Sequence, residues 1–330
     1  VKNVQHLGLW GLARSGRVEA SVPVFCIDAI LQTALTRGQL LSEPEATLNK
    51  QTACVPRLDT ARTAIDGCVR LHFHSRGVIS NLFVELQPAL RQLVDNEVQM
   101  RVRAVGLNFR DVLNILGEYP GDPGPPGGDA AGVLVEGSSK VFGLAYAPLA
   151  SVAVAFAPLL AVKPVASSFD QASTLPVTWS TTDLALGRAG LHAGRSMIVQ
   201  AAAGGVGLKA VEYALWLHSM PVGTAGRPQK HAQLREAGVY GLCSSRDSAA
   251  FAIGAMGVLD AHRASAVLNS LSLDFIAASF AALGEGGAFE EIGKRGIWAS
   301  QCHTAAAPHT AYCAIALDAD MAHAPVWMHG

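Results

Sequence analysis

A short apolar run, a glycine-rich corner and an amphipathic helix follow one another directly in this chain, and no other feature restricts its fold as much. Ser196-Met197-Ile198-Val199-Gln200 reads as a buried strand and Ala202-Ala203-Gly204-Gly205-Val206-Gly207 as the corner. Residues 206–218 read as a helix, with Leu208, Val211, Leu215 and Trp216 at helical spacings. A strand over 222–224, a helix around 229–237, a strand over 266–268, a helix over 275–283 and a strand over 288–292 follow. That βαβαβ order predicts a parallel sheet with helices on both faces. A glycine-rich turn from strand to helix lets backbone approach a pyrophosphate, and the helix start turns free N–H groups toward it. Gly204, Gly205, Val206 and Gly207 are the candidate contacts. A bare tight turn explains the glycines alone equally well; the order of strand, turn, helix and strand favours the nucleotide.

The segment after the second strand bears on which nucleotide is bound. NAD-binding folds of this type carry an acidic residue roughly 20 positions after the glycines, for the ribose hydroxyls. Here Gly223-Thr224-Ala225-Gly226-Arg227-Pro228-Gln229-Lys230 has no carboxylate and two cations. Arg227 and Lys230 suit a 2′-phosphate, so NADPH is the expected cofactor, with Thr224, Ala225 and Gly226 as further contacts. The alternative is two solvated cations at a helix start.

Upstream the period changes. Residues 69–74, 82–86 and 98–105 alternate apolar and polar positions, as half-buried strands do. Residues 119–128, rich in proline and glycine, can form neither helix nor central strand and read as a shaped loop. Residues 1–60 are uneven, with a helix-like stretch around 30–38. The length of 330 residues suggests about two domains. With 25 Lys+Arg against 26 Asp+Glu, no draw to nucleic acid or an anionic membrane is expected. Mean hydropathy is +0.28, yet no apolar run approaches the roughly 20 residues of a membrane span. Residues 145–162 contain Pro148, Ser151 and Pro158 and read as short buried strands. Val1-Lys2-Asn3-Val4-Gln5 does not open a signal peptide, and the missing methionine suggests a fragment of a longer polypeptide. None of the six cysteines forms a C-x-x-C pair, so no metal is expected; buried reduced thiols in a cytoplasmic protein are. His72 and His74 read as a surface pair, and Tyr119 as loop packing.

The sequence resembles the enoyl reductase domain of modular type I polyketide synthases, a zinc-free branch of the medium-chain dehydrogenase/reductases. The resemblance runs through Val102-Arg103-Ala104-Val105-Gly106-Leu107-Asn108-Phe109-Arg110-Asp111-Val112-Leu113, Gly117-Glu118-Tyr119-Pro120-Gly121-Asp122 and Gly127-Gly128-Asp129-Ala130-Ala131-Gly132. It continues in Leu175-Pro176-Val177-Thr178, in the glycine corner, in Val267-Leu268-Asn269-Ser270-Leu271 and in Glu291-Ile292-Gly293-Lys294-Arg295-Gly296-Ile297-Trp298. Near the start, Leu9-Trp10-Gly11-Leu12-Ala13-Arg14-Ser15 and Val55-Pro56-Arg57-Leu58 resemble the end of a ketoreductase structural subdomain. The resemblance implies an α/β protein: a Rossmann-type parallel-sheet domain over 181–311, and a GroES-like β-rich catalytic domain over 61–180, completed by about 312–330, with truncation of that part as the alternative. Residues 1–60 would be a linker and neighbouring-domain remnant.

The implied reaction is NADPH-dependent reduction of an α,β-enoyl thioester on an acyl carrier protein, with hydride going to Cβ and a proton to Cα. Ketoreductase and dehydratase domains would be the neighbours. Asn108 and Asp111 match positions near nicotinamide and substrate. Thr178, Asn269, Ser270 and Leu271 would line the nicotinamide end, and Gly293 and Lys294 would close it. Phe109 would lie near the α-substituent. Lys230 matches a lysine proposed as the Cα proton donor, a role that competes with the phosphate clamp. Its partner acid would be Asp247, displaced toward Arg246 in Ser244-Ser245-Arg246-Asp247. The stretch after Gly132, residues 133–143, is shorter than the family's hairpin. From the residues alone, Asn108 is equally a helix cap and Asp111 a surface partner of Arg110 or Arg103. A quinone oxidoreductase of the same superfamily, or a non-catalytic structural domain, are the competing functions.

Overall fold

Residues 26–29, 45–48, 53–54, 66–260, 262–271, 273–294 and 296–317 are described by a computed structural model. The stretch 30–38, the motifs at 9–15 and 55–58, and everything after 317 lie outside them. The chain divides into two units, Val1–Ala64 and Ile65–Gly330. In the first, β1 (Cys26–Asp28) pairs in parallel with β2 (Glu45–Leu48), which pairs antiparallel with β3 (Ala53–Cys54).

The second unit opens with the hairpin β4 (Val69–Phe73) and β5 (Leu82–Leu86), in which Arg70 faces Glu85 across the strands. The long alternating run becomes β6 (Glu97–Gly106), followed by α1 (Phe109–Leu116). Next come β7 (Asp129–Leu134), β8 (Lys140–Leu144), β9 (Val152–Phe156) and β10 (Leu160–Val162). These form an antiparallel sheet in the order β10-β8-β7-β6-β9. Its core is Met100, Ala130, Val141, Ala155 and Leu160. The short stretch after Gly132 closes a regular hairpin: Val133 pairs with Lys140, and Leu134 N–H donates to Ser139 O (2.9 Å). Residues 119–128 carry no helix or strand, as proline and glycine there require.

Two helices lead out of this sheet, α2 (Phe169–Ser173) and α3 (Pro176–Arg188). The helix α3 runs through the boundary expected at 180/181, so the two halves share an element rather than meeting at a linker. Then follow β11 (Ser196–Val199), α4 (Gly205–Trp216), β12 (Met220–Ala225), α5 (Pro228–Glu236), β13 (Gly241–Ser244) and α6 (Ser248–Leu259). The chain continues through β14 (Ala264–Asn269), α7 (Asp274–Ala282), β15 (Leu283–Glu291), α8 (Ser300–Ala306) and β16 (Ala311–Ala314). All six strands are parallel, in the order β13-β12-β11-β14-β15-β16. By position in the chain this is 3-2-1-4-5-6, the doubly wound arrangement of dinucleotide-binding folds. One face buries Leu186, Val211 and Leu234; the other buries Phe251, Ile276 and Phe289.

The pair β13 and α6 was not foreseen. Residues 312–314 belong to β16, hydrogen-bonded along β15 from Ala288↔Ala311 to Glu291↔Ala314, so they extend the parallel sheet rather than the catalytic domain. The cysteines also differ from expectation: Cys243 is buried, whereas Cys68 and Cys302 are exposed. Among the described residues no helix is long and apolar enough to cross a membrane.

The corner after β11 depends on Gly207. A Cβ there would lie 2.6 Å from both Cα and O of Ala202. Gly207→Ala therefore has to push the helix off the strand, and should lower stability by about 1–3 kcal/mol. Denaturant unfolding of the two proteins checks this, and an unchanged midpoint would contradict the packing described.

Candidate nucleotide and substrate site

The corner sits where the strand order reverses, between the ends of β12 and β14, the place at which open α/β sheets bind ligands. Ala201 turns the chain with φ 49°, and Gly204 enters α4 in an extended conformation. Gly204 and Gly205 are exposed. The first turn of α4 closes with Leu208 N–H on Gly204 O (2.9 Å), so the N–H groups of Gly205, Val206 and Gly207 precede any intrahelical partner. A Cβ on Gly205 would lie 3.3 Å from the Thr178 methyl. The Thr178 hydroxyl turns away, donating to Thr174 O (2.9 Å), so Thr178 presents its methyl, not its Oγ1, to the corner. Thr224 corrects its expected role as a contact: it is fully buried. Its Oγ1 donates to Gln200 Oε1 (3.0 Å) and accepts from Ala201 N–H (2.9 Å), tying β12 to the corner.

Next along the same edge, β12 ends at buried Ala225, followed by exposed Gly226. Arg227 is the N-cap of α5, and Lys230 is exposed on that helix's first turn. A third cation joins them. A Cβ on Gly226 would lie 2.7 Å from Nε of Arg246, so the Arg246 side chain covers this glycine from beyond the end of β13. Sequence reading missed Arg246; its signal was that it follows Ala225's partner Ser244 at the next strand end. Asp247 is corrected: it is the N-cap of α6, its Oδ1 accepting from Ala250 N–H (2.8 Å), rather than the acid partner of Lys230.

On the other side of β11, the end of β14 is organised by Asn269. Its Nδ2 donates to Leu271 O (2.6 Å) and to Glu291 Oε2 (2.7 Å), and the side chain is fully buried. It acts by holding Ser270 and Leu271 in place. Ser270 Oγ donates to Gln200 O (3.3 Å). Glu291 Oε1 accepts from Gly293 N–H (2.6 Å), and Lys294 Nζ donates to Ile315 O (2.9 Å), pinning that loop to the segment after β16.

In the β-rich half, Asn108 is the N-cap of α1 and is half-buried between exposed Leu107 and Phe109. Its Nδ2 donates to Asp129 Oδ2 (2.9 Å). Asp129 Oδ1 accepts from Val177 N–H (2.8 Å) at the start of α3. Asp111 is corrected on both expectations, catalytic residue and surface partner. It is buried, with Oδ2 accepting from Asn108 N–H (2.8 Å) and Oδ1 from Gly127 N–H (2.7 Å), so it fastens the 119–128 loop to α1. The Arg110 guanidinium lies over the Tyr119 ring, 5.5 Å from its centre, within that loop. A cavity of about 320 Å³ lies between β4 and residues 124–126 and shares no lining residue with the glycine corner. Among the described residues no cluster of His, Cys, Asp and Glu could hold a metal ion.

Three buried carboxyls are pushed up to about 7, in each case mainly by burial. They are Asp129, opposed by the bonds from Asn108 and Val177; Glu291, opposed by Asn269 and Gly293; and Glu290, opposed by Arg188 and Cys313. Between the ordinary carboxylate range and about 7, the native state holds protons that the unfolded chain has released. Stability is thus greatest at the acid end of that window and declines as pH rises through about 7. The melting temperature should fall between roughly pH 5 and pH 8. Glu290→Gln, which replaces a carboxylate with one unpartnered buried oxygen, should flatten the fall. A flat or rising profile in the parent protein contradicts this.

A six-stranded doubly wound sheet with an open glycine corner, joined by α3 to an antiparallel β-rich domain, defines a medium-chain dehydrogenase/reductase. No protein-family model matches the chain. It is 37% identical over 322 residues to the spectinabilin polyketide synthase system protein NorB of Streptomyces orinoci, covering 88% of this chain and 14% of that protein. It is 34% identical over 303 residues to the erythronolide synthase EryA2 of Saccharopolyspora erythraea, covering 87% of this chain and 8% of that protein. Among solved structures it is similar to the CurK enoyl reductase, with TM-score 0.73 and 33% identity over 79% of this chain and 84% of that one. The chain belongs to the enoyl reductase domains of polyketide synthases. It spans a small fraction of the length of the curated synthases it matches.

Proposed function

We propose that this domain reduces the carbon–carbon double bond of an α,β-enoyl thioester carried on an acyl carrier protein, with NADPH as cofactor. The observation that carries the reading is the open corner: three N–H groups at the start of α4, no side chain on Gly204 or Gly205, and a methyl rather than a polar group beside them. The cradle fits a dinucleotide. Gly205, Val206 and Gly207 would hold the diphosphate. Arg227, Lys230 and Arg246, gathered around Gly226 at the start of α5, would hold a 2′-phosphate. Ser270, Leu271 and Gly293 would line the nicotinamide end. When bound, NADPH supplies the hydride for the β-carbon.

The remaining work belongs to the chain. Asn108 orients the substrate at the mouth of the β-rich half, and exposed Leu107 and Phe109 flank it with apolar surface for an acyl chain. The exposed position of Lys230 beside Arg227 supports the phosphate role over that of proton donor. An enoyl thioester arises by loss of water from a β-hydroxyacyl thioester, itself a reduced β-ketoacyl group. Ketoreductase and dehydratase domains are therefore the neighbours this activity requires, and a cytoplasmic location goes with them.

NADPH titration followed by a crotonyl-thioester assay tests the reading. Saturable NADPH binding with turnover of the thioester is expected. Turnover of a small quinone with none of the thioester would instead assign a quinone oxidoreductase. Gly205→Asp should abolish NADPH binding, since its carboxylate would face the diphosphate; unchanged affinity would refute the assigned corner. Replacing Arg227, Lys230 and Arg246 by alanine should narrow the preference for NADPH over NADH by about tenfold or more. An unaltered ratio of the two affinities would count against the clamp.

A further inference from the structure

We infer that Asp129 is a positioning residue for the reduction: its carboxylate fixes which way the Asn108 carboxamide faces and links it to the helix that packs on the glycine corner. The inference rests on the enoyl reductase reading above. Asp129 opens β7 and is only 1% exposed. One oxygen takes the Nδ2 of Asn108 and the other takes the N–H of Val177. Val177 lies in the first turn of α3, where N–H groups have no intrahelical partner, and the next residue, Thr178, sets its methyl against Gly205. A single carboxylate thus connects the residue nearest the substrate to the element bordering the cofactor.

The chemistry of the pair gives it direction. A carboxamide has a donor end and an acceptor end of nearly equal shape, and a carboxylate is acceptor-only. When ionised, Asp129 therefore draws the amino end of Asn108 inward and keeps its Oδ1 away from itself. Helix capping engages the other end of the carboxamide: in the capping box of α1 the Asn108 side chain takes the Asp111 N–H, which leaves the amino end for Asp129. The N-terminus of α1 is already served by Asp111, which takes Asn108 N–H. The N-terminus of α3 needs one acceptor, which an asparagine would provide about as well and without burying a charge. There is little slack: a Cβ on Gly106, at the end of β6, would stand 2.9 Å from Asp129 Cβ and 2.1 Å from Ser173 O.

Asp129→Asn tests the assignment because it separates the two bonds. Its Oδ1 can still accept from Val177, but its amino group meets that of Asn108. The expected result is kcat for the crotonyl thioester reduced by about tenfold or more, with NADPH affinity within about twofold of the parent. Asp129→Asn should cause no further loss in an Asn108→Ala background, as two residues acting through one bond are non-additive. An unchanged kcat, or a loss that adds fully to that of Asn108→Ala, overturns the proposal. If Asp129→Asn does not fold, the exchanged pair Asn108→Asp with Asp129→Asn keeps the Val177 bond and restores the side-chain bond with donor and acceptor exchanged. With only the side-chain bond reversed, the pair should recover the melting temperature but not kcat, and recovery of both would make the pair purely structural. If the parent binds NADPH but turns over no enoyl thioester, the reductase reading fails separately. The side-chain amide resonances of Asn108, assigned by their loss in Asn108→Ala, then decide the positioning. They should be protected from exchange in the parent and unprotected in Asp129→Asn; equal protection in both refutes it.

Discussion

A parallel strand buried on both faces has only its ends to offer to solvent, and β11 is such a strand. Met197, Ile198 and Val199 are completely buried, and both edges are hydrogen-bonded, to β12 and to β14. Nothing along its length can meet a ligand, so the chemistry gathers where the strands run out. The five strands β13, β12, β11, β14 and β15 each contribute one segment there: Arg246, Gly226 with Arg227, the glycine corner, Ser270 with Leu271, and Gly293. The site is a property of the sheet's edge, and its residues recur at intervals of about twenty residues because each strand returns through a helix.

The polar side chains at this edge mostly hold backbone rather than face outward. Thr224 and Gln200 lock β12 to the corner, and Gln200 Nε2 reaches Ser279 on α7 (2.7 Å). Asn269 and Glu291 hold the loops after β14 and β15. A ligand at such an edge meets N–H groups, small residues and methyls, with Arg227, Lys230 and Arg246 at the end around Gly226. That distribution matches a molecule charged at its phosphates and flat at its reactive ring.

How much of this could be read from the sequence depended on periodicity and on cap spacing. The strand β11 and the helix α4 were legible because a continuous apolar run met a helix with one apolar stripe. The helix α6 was not: its residues, from Ser248 to Leu259, are apolar on every side, with Gly254 and Gly257 inside, so no stripe marks it. The strand β16, Ala-Tyr-Cys-Ala, is too short and small to alternate. For the site, residue types were readable but their orientation was not. Asp111 stands three residues after Asn108, and Asp247 three before Ala250. Both are cap spacings, which carried the information that these carboxylates face backbone N–H groups.

The two halves of the molecule use the same device on either side of the site. In each, a buried carboxylate accepts one backbone N–H and one asparagine carboxamide: Asp129 with Val177 and Asn108, Glu291 with Gly293 and Asn269. Burial opposes ionisation of both acids, so each group of bonds depends on keeping water out. The difference lies in the asparagines. Asn269 has no exposed surface, its Nδ2 is shared between two acceptors, and its role ends at holding a loop. Asn108 has the same kind of partner and caps α1, but it stands half-open between Leu107 and Phe109. A carboxamide held at both ends yet open to solvent is the arrangement by which a substrate group could be oriented without the protein having to reorganise around it.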